Sequence, residues 1–218
     1  MRKIKPGYRM VLLSVIFSLL LSGCASMIKS SPDPRFYALE AGGKKEPVEK
    51  IDIPADTIIG VGPINIPEYQ NRPQIVTQNA DNIITFAEFD RWGEPLDLAV
   101  LRLVSENLRV IMPNAVIETY PWEGAIPVKY KVIVDVIKLI SDLENDMYFA
   151  AQWSIIEVKN NKMVLTKKIE ITESITPQDY SGLVKTLSAA CFSLSKQIAE
   201  NAAGIAEKAE EGKEEKEK

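Results

Sequence analysis

Two cysteines and no histidine decide most of the chemistry open to this chain. Without histidine, Ser-His-Asp and Cys-His nucleophilic pairs fall away, as do the usual histidine metal ligands. No cysteine cluster or phosphate-binding loop is present. Gly60-Val61-Gly62 lacks the third glycine and the helix start of a dinucleotide fingerprint, so it reads as strand packing. Carboxylates are plentiful, but no spacing marks two of them as an acid–base pair. No catalytic or metal-ligating residue is therefore assigned, and no enzyme activity is expected. Cys191 lies on an apolar helical stripe and reads as a core thiol. Cys24 stands in a different setting, and its surroundings point to covalent chemistry.

Arg2, Lys3, Lys5 and Arg9 precede an apolar run from Met10 to Leu21 that only Ser14 and Ser18 interrupt. As a helix this run reaches ~18 Å, well short of a ~30 Å hydrocarbon core. It fits the h-region of an export signal better than a spanning segment. Leu21-Ser22-Gly23-Cys24 follows at once. Small residues before such a cysteine form a lipobox, in which the thiol is alkylated by a diacylglyceryl group before the signal is cut off. Residues 1–23 are thus expected to be a lipoprotein signal peptide and Cys24 the lipidation site. The covalent lipid takes the place of any cofactor. Two or more acyl chains anchor a protein stably, whereas one does not. Ala25 stands where an aspartate would retain the protein at the inner membrane, which favours the outer one. With Cys24 acylated, Cys191 has no partner for an intramolecular disulfide.

Four of the 26 basic residues precede Cys24 and none of the 30 acidic ones does, leaving the remainder at about −8. That charge argues against nucleic acid as a partner. Arg and aromatic residues gather instead in two strings, Pro67-Glu68-Tyr69-Gln70-Asn71-Arg72-Pro73-Gln74 and Phe86-Ala87-Glu88-Phe89-Asp90-Arg91-Trp92-Gly93-Glu94. Tyr, Trp and Arg dominate protein interfaces because they bury much area and still make directional hydrogen bonds. Tyr69, Arg72, Pro73, Gln74, Asp90, Arg91, Trp92 and Glu94 are the candidate partner-binding residues, set in loops flanking a helix. The bland alternative has Phe89 and Trp92 fastening sheet to helix, with Asp90 or Glu94 capping that helix.

The elements that must position these residues are legible from periodicity. Residues 24–50 read as a lipidated N-terminus and tether, with a first strand near Phe36–Leu39. Residues 51–206 read as one domain. Thr57–Ile66 alternates as a strand, with Ile59, Val61, Pro63 and Asn65 to one side. Ile75–Thr77 and Ile83–Phe86 flank a polar turn, a hairpin signal. Leu96–Met112 is a helix with one apolar face and Pro95 at its start. Val116–Tyr120 is a strand. Tyr130–Ile140, Tyr148–Val158 and Met163–Ile175 form an antiparallel meander, Tyr130, Val132, Val134, Val136 and Ile140 sharing one side. Asp179–Ala206 is the second long helix. Residues 207–218 read as a charged flexible tail. The expected fold class is α+β, a mainly antiparallel sheet with both helices packed on one face.

The chain also resembles the ABC-type transport auxiliary lipoproteins, most closely their PqiC (YmbA) group. The resemblance rests on the lipobox at Cys24, Ser31–Leu39, Ile59–Ile64, Pro67-Glu68-Tyr69, Arg72–Thr77 and Ala87–Leu96, and runs from about Ser31 to Ala203. It implies an outer-membrane, lipid-anchored protein facing the periplasm. It further implies a non-catalytic subunit that docks an MCE-domain protein (PqiB-like), working with an inner-membrane permease system in lipid transport. A homo-oligomeric ring would suit that docking. A structural lipoprotein binding peptidoglycan or another envelope protein is the alternative. A hydrolase is a third, disfavoured by the missing histidine.

Overall fold

Among the described residues, stretches rich in β-branched and aromatic residues build eight strands, and two runs with apolar spacings of three and four build two helices. The computed structural model describes the backbone of residues 31–42, 48–55, 57–122 and 127–217, with side chains up to residue 212. Cys24 and the export signal lie outside the described residues, as do residues 43–47 of the tether. The elements are β1 (Arg35–Tyr37), β2 (Ile58–Asn65), β3 (Gln74–Gln78), β4 (Ile84–Trp92), α1 (Leu96–Ile111), β5 (Val116–Thr119), β6 (Tyr130–Ser141), β7 (Asp146–Glu157), β8 (Lys162–Ser174) and α2 (Tyr180–Glu217).

The class is α+β, but the strands form two mixed sheets rather than one mainly antiparallel sheet. β5-β2-β6-β7-β8 make the large sheet and β1-β4-β3 the small one. β2 runs parallel to both β5 and β6, and β1 runs parallel to β4. Parallel neighbours need a long crossover, and α1, lying between β2 and β5 in sequence, is part of one. The meander β6-β7-β8 is antiparallel, as its alternation predicts. α1 packs against β2 and β5, α2 against β7 and β8, and the two helices against each other.

One apolar core joins all these elements. Leu96, Val100, Leu103, Val104, Leu108 and Ile111 of α1 are buried in it, with Leu183, Leu187, Cys191, Leu194 and Ile198 of α2. Trp153, Tyr130 and Phe149 are its largest fully buried side chains. Ile75, Ala87 and Trp92 tie the small sheet to the same core. Buried Asn107 of α1 donates to Ser195 Oγ of α2 (3.3 Å) and accepts from the Gly42 amide (2.9 Å), satisfying polar groups that would otherwise be costly inside.

Two strands change phase where alternation alone carries them straight on. The β2–β6 register shifts between Val61 and Ile64, so Ile64 joins Ile59 and Val61 in the core, in place of Pro63 and Asn65. Gly62 takes φ +110° there, and a Cβ on it would stand 2.7 Å from Tyr120 Cβ. A second shift between Val136 and Lys138 turns Leu139 inward in place of Ile140. An extra residue in one strand reverses the facing of all that follow.

α2 starts where Asp179 Oδ1 accepts the Gly182 amide at 2.8 Å, an N-cap contact. It does not end near Ala206 but continues through the charged tail to Glu217. Ala, Glu and Lys are strong helix formers, so the helix propagates past the last buried contact. Ala206 is that contact, and Glu207, Lys208, Glu210 and Glu211 are exposed.

Candidate docking surface

The loop after β2 is held from within. Buried Gln70 donates to the Leu139 carbonyl at 2.8 Å, beside the β6 irregularity. Asn71 Oδ1 accepts the Asp97 amide at 3.2 Å and so serves the first turn of α1. Neither Asp90 nor Glu94 caps that helix. With its root fixed, the loop presents Arg72, whose guanidinium carbon lies 3.9 Å from the centroid of the Phe86 ring. Arg72 Nε also donates to Gln74 Oε1 at 3.3 Å. A cation held over a ring keeps that ring oriented without removing it from solvent.

Phe86 belongs to the β3–β4 hairpin. Asn79 Oδ1 accepts the amides of Asp81 (3.1 Å) and Ile83 (2.9 Å), and Asn82 takes a positive φ, so the polar turn closes as its residues predict. Beyond it Ile83, Ile84 and Phe86 are exposed, Ile83 at 58%. Contiguous exposed apolar side chains on a rigid hairpin mark an interaction surface. Pro73, at the other end of β3, is exposed, while Tyr69, Arg72 and Gln74 are half-buried.

The second string does not form loops. Phe86 to Trp92 continues β4, and between Gln74↔Arg91 and Val76↔Phe86 two steps on β3 are matched by five on β4. The extra length carries Asp90–Trp92 alongside β1. Asp90 is 5% exposed. It accepts from the Tyr37 hydroxyl (2.8 Å) and from Arg35 Nη2 (3.0 Å). Burial, and then the hydrogen bond to the Asp90 carboxylate, push the Tyr37 phenol up to about 12. The same carboxylate raises the Arg35 guanidinium through its hydrogen bond and its charge.

Asp90 is therefore a latch for β1 and not a surface contact. Trp92 is 6% exposed and belongs to the core. Glu94 pairs with Arg102 at 2.7 Å, and Arg102 Nη2 also reaches the Leu39 carbonyl at 3.3 Å. Arg91 is half-buried, with a buried Nε that has no hydrogen-bond partner. The structure thus groups Arg72 and Gln74 with the hairpin, leaves Tyr69 and Pro73 in the preceding loop, and gives Asp90, Trp92 and Glu94 internal duties. Sequence reasoning missed Ile83, Ile84 and Phe86 as surface residues. Their signal was an apolar stretch immediately after a polar hairpin turn.

Cys191 is fully buried, which pushes its thiol up to about 12 and leaves no thiolate near neutral pH. Among the described residues no helix is long and apolar enough to cross a membrane.

The family model for the ABC-type transport auxiliary lipoprotein component matches residues 37–199. That span begins in β1 and ends in α2, so it takes in nearly the whole folded unit. The chain belongs to this family of ABC-type transport auxiliary lipoproteins. Its fold is similar to that of an uncharacterised protein known from a crystal structure, with 16% identity and a TM-score of 0.64 over 78% of this chain and 99% of that one. It is likewise similar to a protein of the DUF330 family from Xanthomonas campestris, with 10% identity and a TM-score of 0.63 over 83% of this chain and 99% of that one. No curated protein matches the sequence significantly.

Proposed function

We propose that this chain is the outer-membrane-anchored subunit of an MCE-type intermembrane lipid transport system, and that it docks the MCE assembly at that membrane. The observation that carries the reading is the family match over the folded unit, and the exposed hairpin supplies a surface for the docking. Cys24 holds the lipid anchor in the outer membrane, which Ala25 favours, the residues between Cys24 and β1 act as tether, and the α+β domain faces the periplasm. Ile83, Ile84 and Phe86 meet the MCE-domain protein, with Arg72, Pro73, Gln74 and Tyr69 at the edge of the contact. A central apolar patch with a polar, Arg-bearing rim is the anatomy of protein interfaces in general. The lipoprotein contributes binding and placement, while the permease system at the inner membrane supplies the rest of the path. Copies arranged as a ring would match the symmetry of a ring- or tube-shaped partner.

The test is a pull-down of the tagged, full-length lipoprotein from detergent-solubilised envelopes, followed by mass spectrometry. Co-purification of an MCE-domain protein is the expected result. Recovery of peptidoglycan-associated proteins alone would replace this reading with the envelope-integrity one.

A further inference from the structure

A cavity of about 760 Å³ lies between the segment that follows β1 and one side of α2, a size typical of small-molecule sites. α2 contributes a second stripe distinct from the one that faces the sheet. Ser181, Lys185, Ser188, Phe192 and Lys196 recur every three or four residues and all line the cavity. The opposite wall is a strap pinned at two points. The Glu40 amide donates to Ser188 Oγ (3.2 Å) and the Gly42 amide to Asn107 Oδ1 (2.9 Å). Gly42 lies so close to the Phe192 ring that a Cβ would stand 2.3 Å from it. Ile111 of α1 and Val48 also line the trench, and Phe36 stands there 65% exposed.

The chemistry is that of an amphiphile site. The walls supply Phe36, Val48, Ile111, Val184, Ala189 and Phe192, a trench that water fills unfavourably. Two amines stand among them. Lys196 is 3.7 Å from Glu49 and so is already paired. Lys185 of α2 and Glu40 of the strap are both exposed, and neither side chain has a hydrogen-bond or ion-pair partner among the described residues. An apolar trench with a free ammonium and a free carboxylate on its walls suits a long hydrocarbon chain that ends in a zwitterionic head.

We propose that this groove binds an acyl chain of a membrane phospholipid, with the lipid phosphate against Lys185. The choice of phospholipid as the amphiphile rests on the transport reading above, while the groove itself does not. The hairpin surface and the groove are built from different residues, so docking and lipid binding can be separated by mutation.

The experiment uses the full-length lipoprotein in detergent micelles doped with phosphatidylethanolamine that carries a diazirine in its acyl chain. After irradiation, labelled peptides are mapped by mass spectrometry. Label within Phe36–Gly42 and Ser181–Lys196 is expected. Ala189→Trp, which fills the trench from an exposed helix position, should lower that label by about tenfold without changing the circular dichroism spectrum. Lys185→Glu should also lower it, and Lys185→Arg should restore it. Label that falls elsewhere, or that Ala189→Trp leaves unchanged, overturns the proposal. Label at the groove with no MCE protein co-purifying keeps the groove and removes the transport reading. Co-purification with no groove label does the reverse.

Discussion

Asp90 shows how a residue chosen for its chemistry can be claimed by the fold. A buried carboxylate needs compensation, and Tyr37 and Arg35 both supply it from a strand that is more than fifty residues away in sequence. No local spacing announces that pairing. The Tyr37 phenol is raised from its ordinary 10.0 to about 12. The folded state therefore holds the phenolic proton more tightly than the unfolded chain does. That contribution to stability is fully present below about pH 10 and is lost as pH rises toward about 12. Chemical denaturation at pH 9 and pH 11.5 should show a smaller loss of stability for Tyr37→Phe than for the wild type. Equal losses would mean that the phenol is not coupled to Asp90. Arg72 has a different position, with its guanidinium on the exposed Phe86 ring. Arg72→Glu should reduce MCE co-purification severalfold while changing stability by no more than about 1 kcal/mol. Arg91→Glu should instead cost about 1–3 kcal/mol in a denaturant titration, because Arg91 lies between β1 and β3 with its Nε buried. The sequence supports both arginines equally as contacts and both are half-buried; their surroundings separate them, Arg72 lying on an exposed ring and Arg91 inside the small sheet.

At the scale of elements, the helices were the easiest part to read. Every apolar position expected on the α1 stripe is buried, as is each on the α2 stripe from Leu183 to Ala202. A helix's period is local, so its stripe survives whatever surrounds it. Strand alternation is also local and located β5 to β8 closely. Direction and register are not local, which is why two parallel pairings with β2, a second sheet and two phase shifts escaped the reading. The string from Phe86 to Trp92 reads as loop in the sequence because its charged and aromatic residues do not alternate cleanly, and the register step within β4 breaks the alternation. The far end of α2 is the converse case. Its composition matched a solvated tail, yet the same Ala, Glu and Lys residues favour helix. Deleting residues 207–218 should lower the helical circular dichroism signal but shift the thermal midpoint by only about 2 °C or less, since no fully buried side chain follows Ala206 among the described residues. A larger drop would show that this stretch contributes to the core.

For the molecule as a whole, the class follows from the family match over residues 37–199, which covers most of the folded unit. The candidate surface was only partly legible. Arg72, Pro73 and Gln74 were found from residue type, while the apolar side chains beside them became visible only once the hairpin was seen to lack cover. Docking by the β3–β4 hairpin is tested by a photo-crosslinking amino acid in place of Phe86, in cells carrying the full-length lipoprotein, with the same probe at exposed Lys168 on β8 as the comparison. An adduct to an MCE-domain protein from position 86 and none from position 168 is the predicted result. Adducts from position 168 alone would place the docking face on the large sheet and rule out docking by the hairpin.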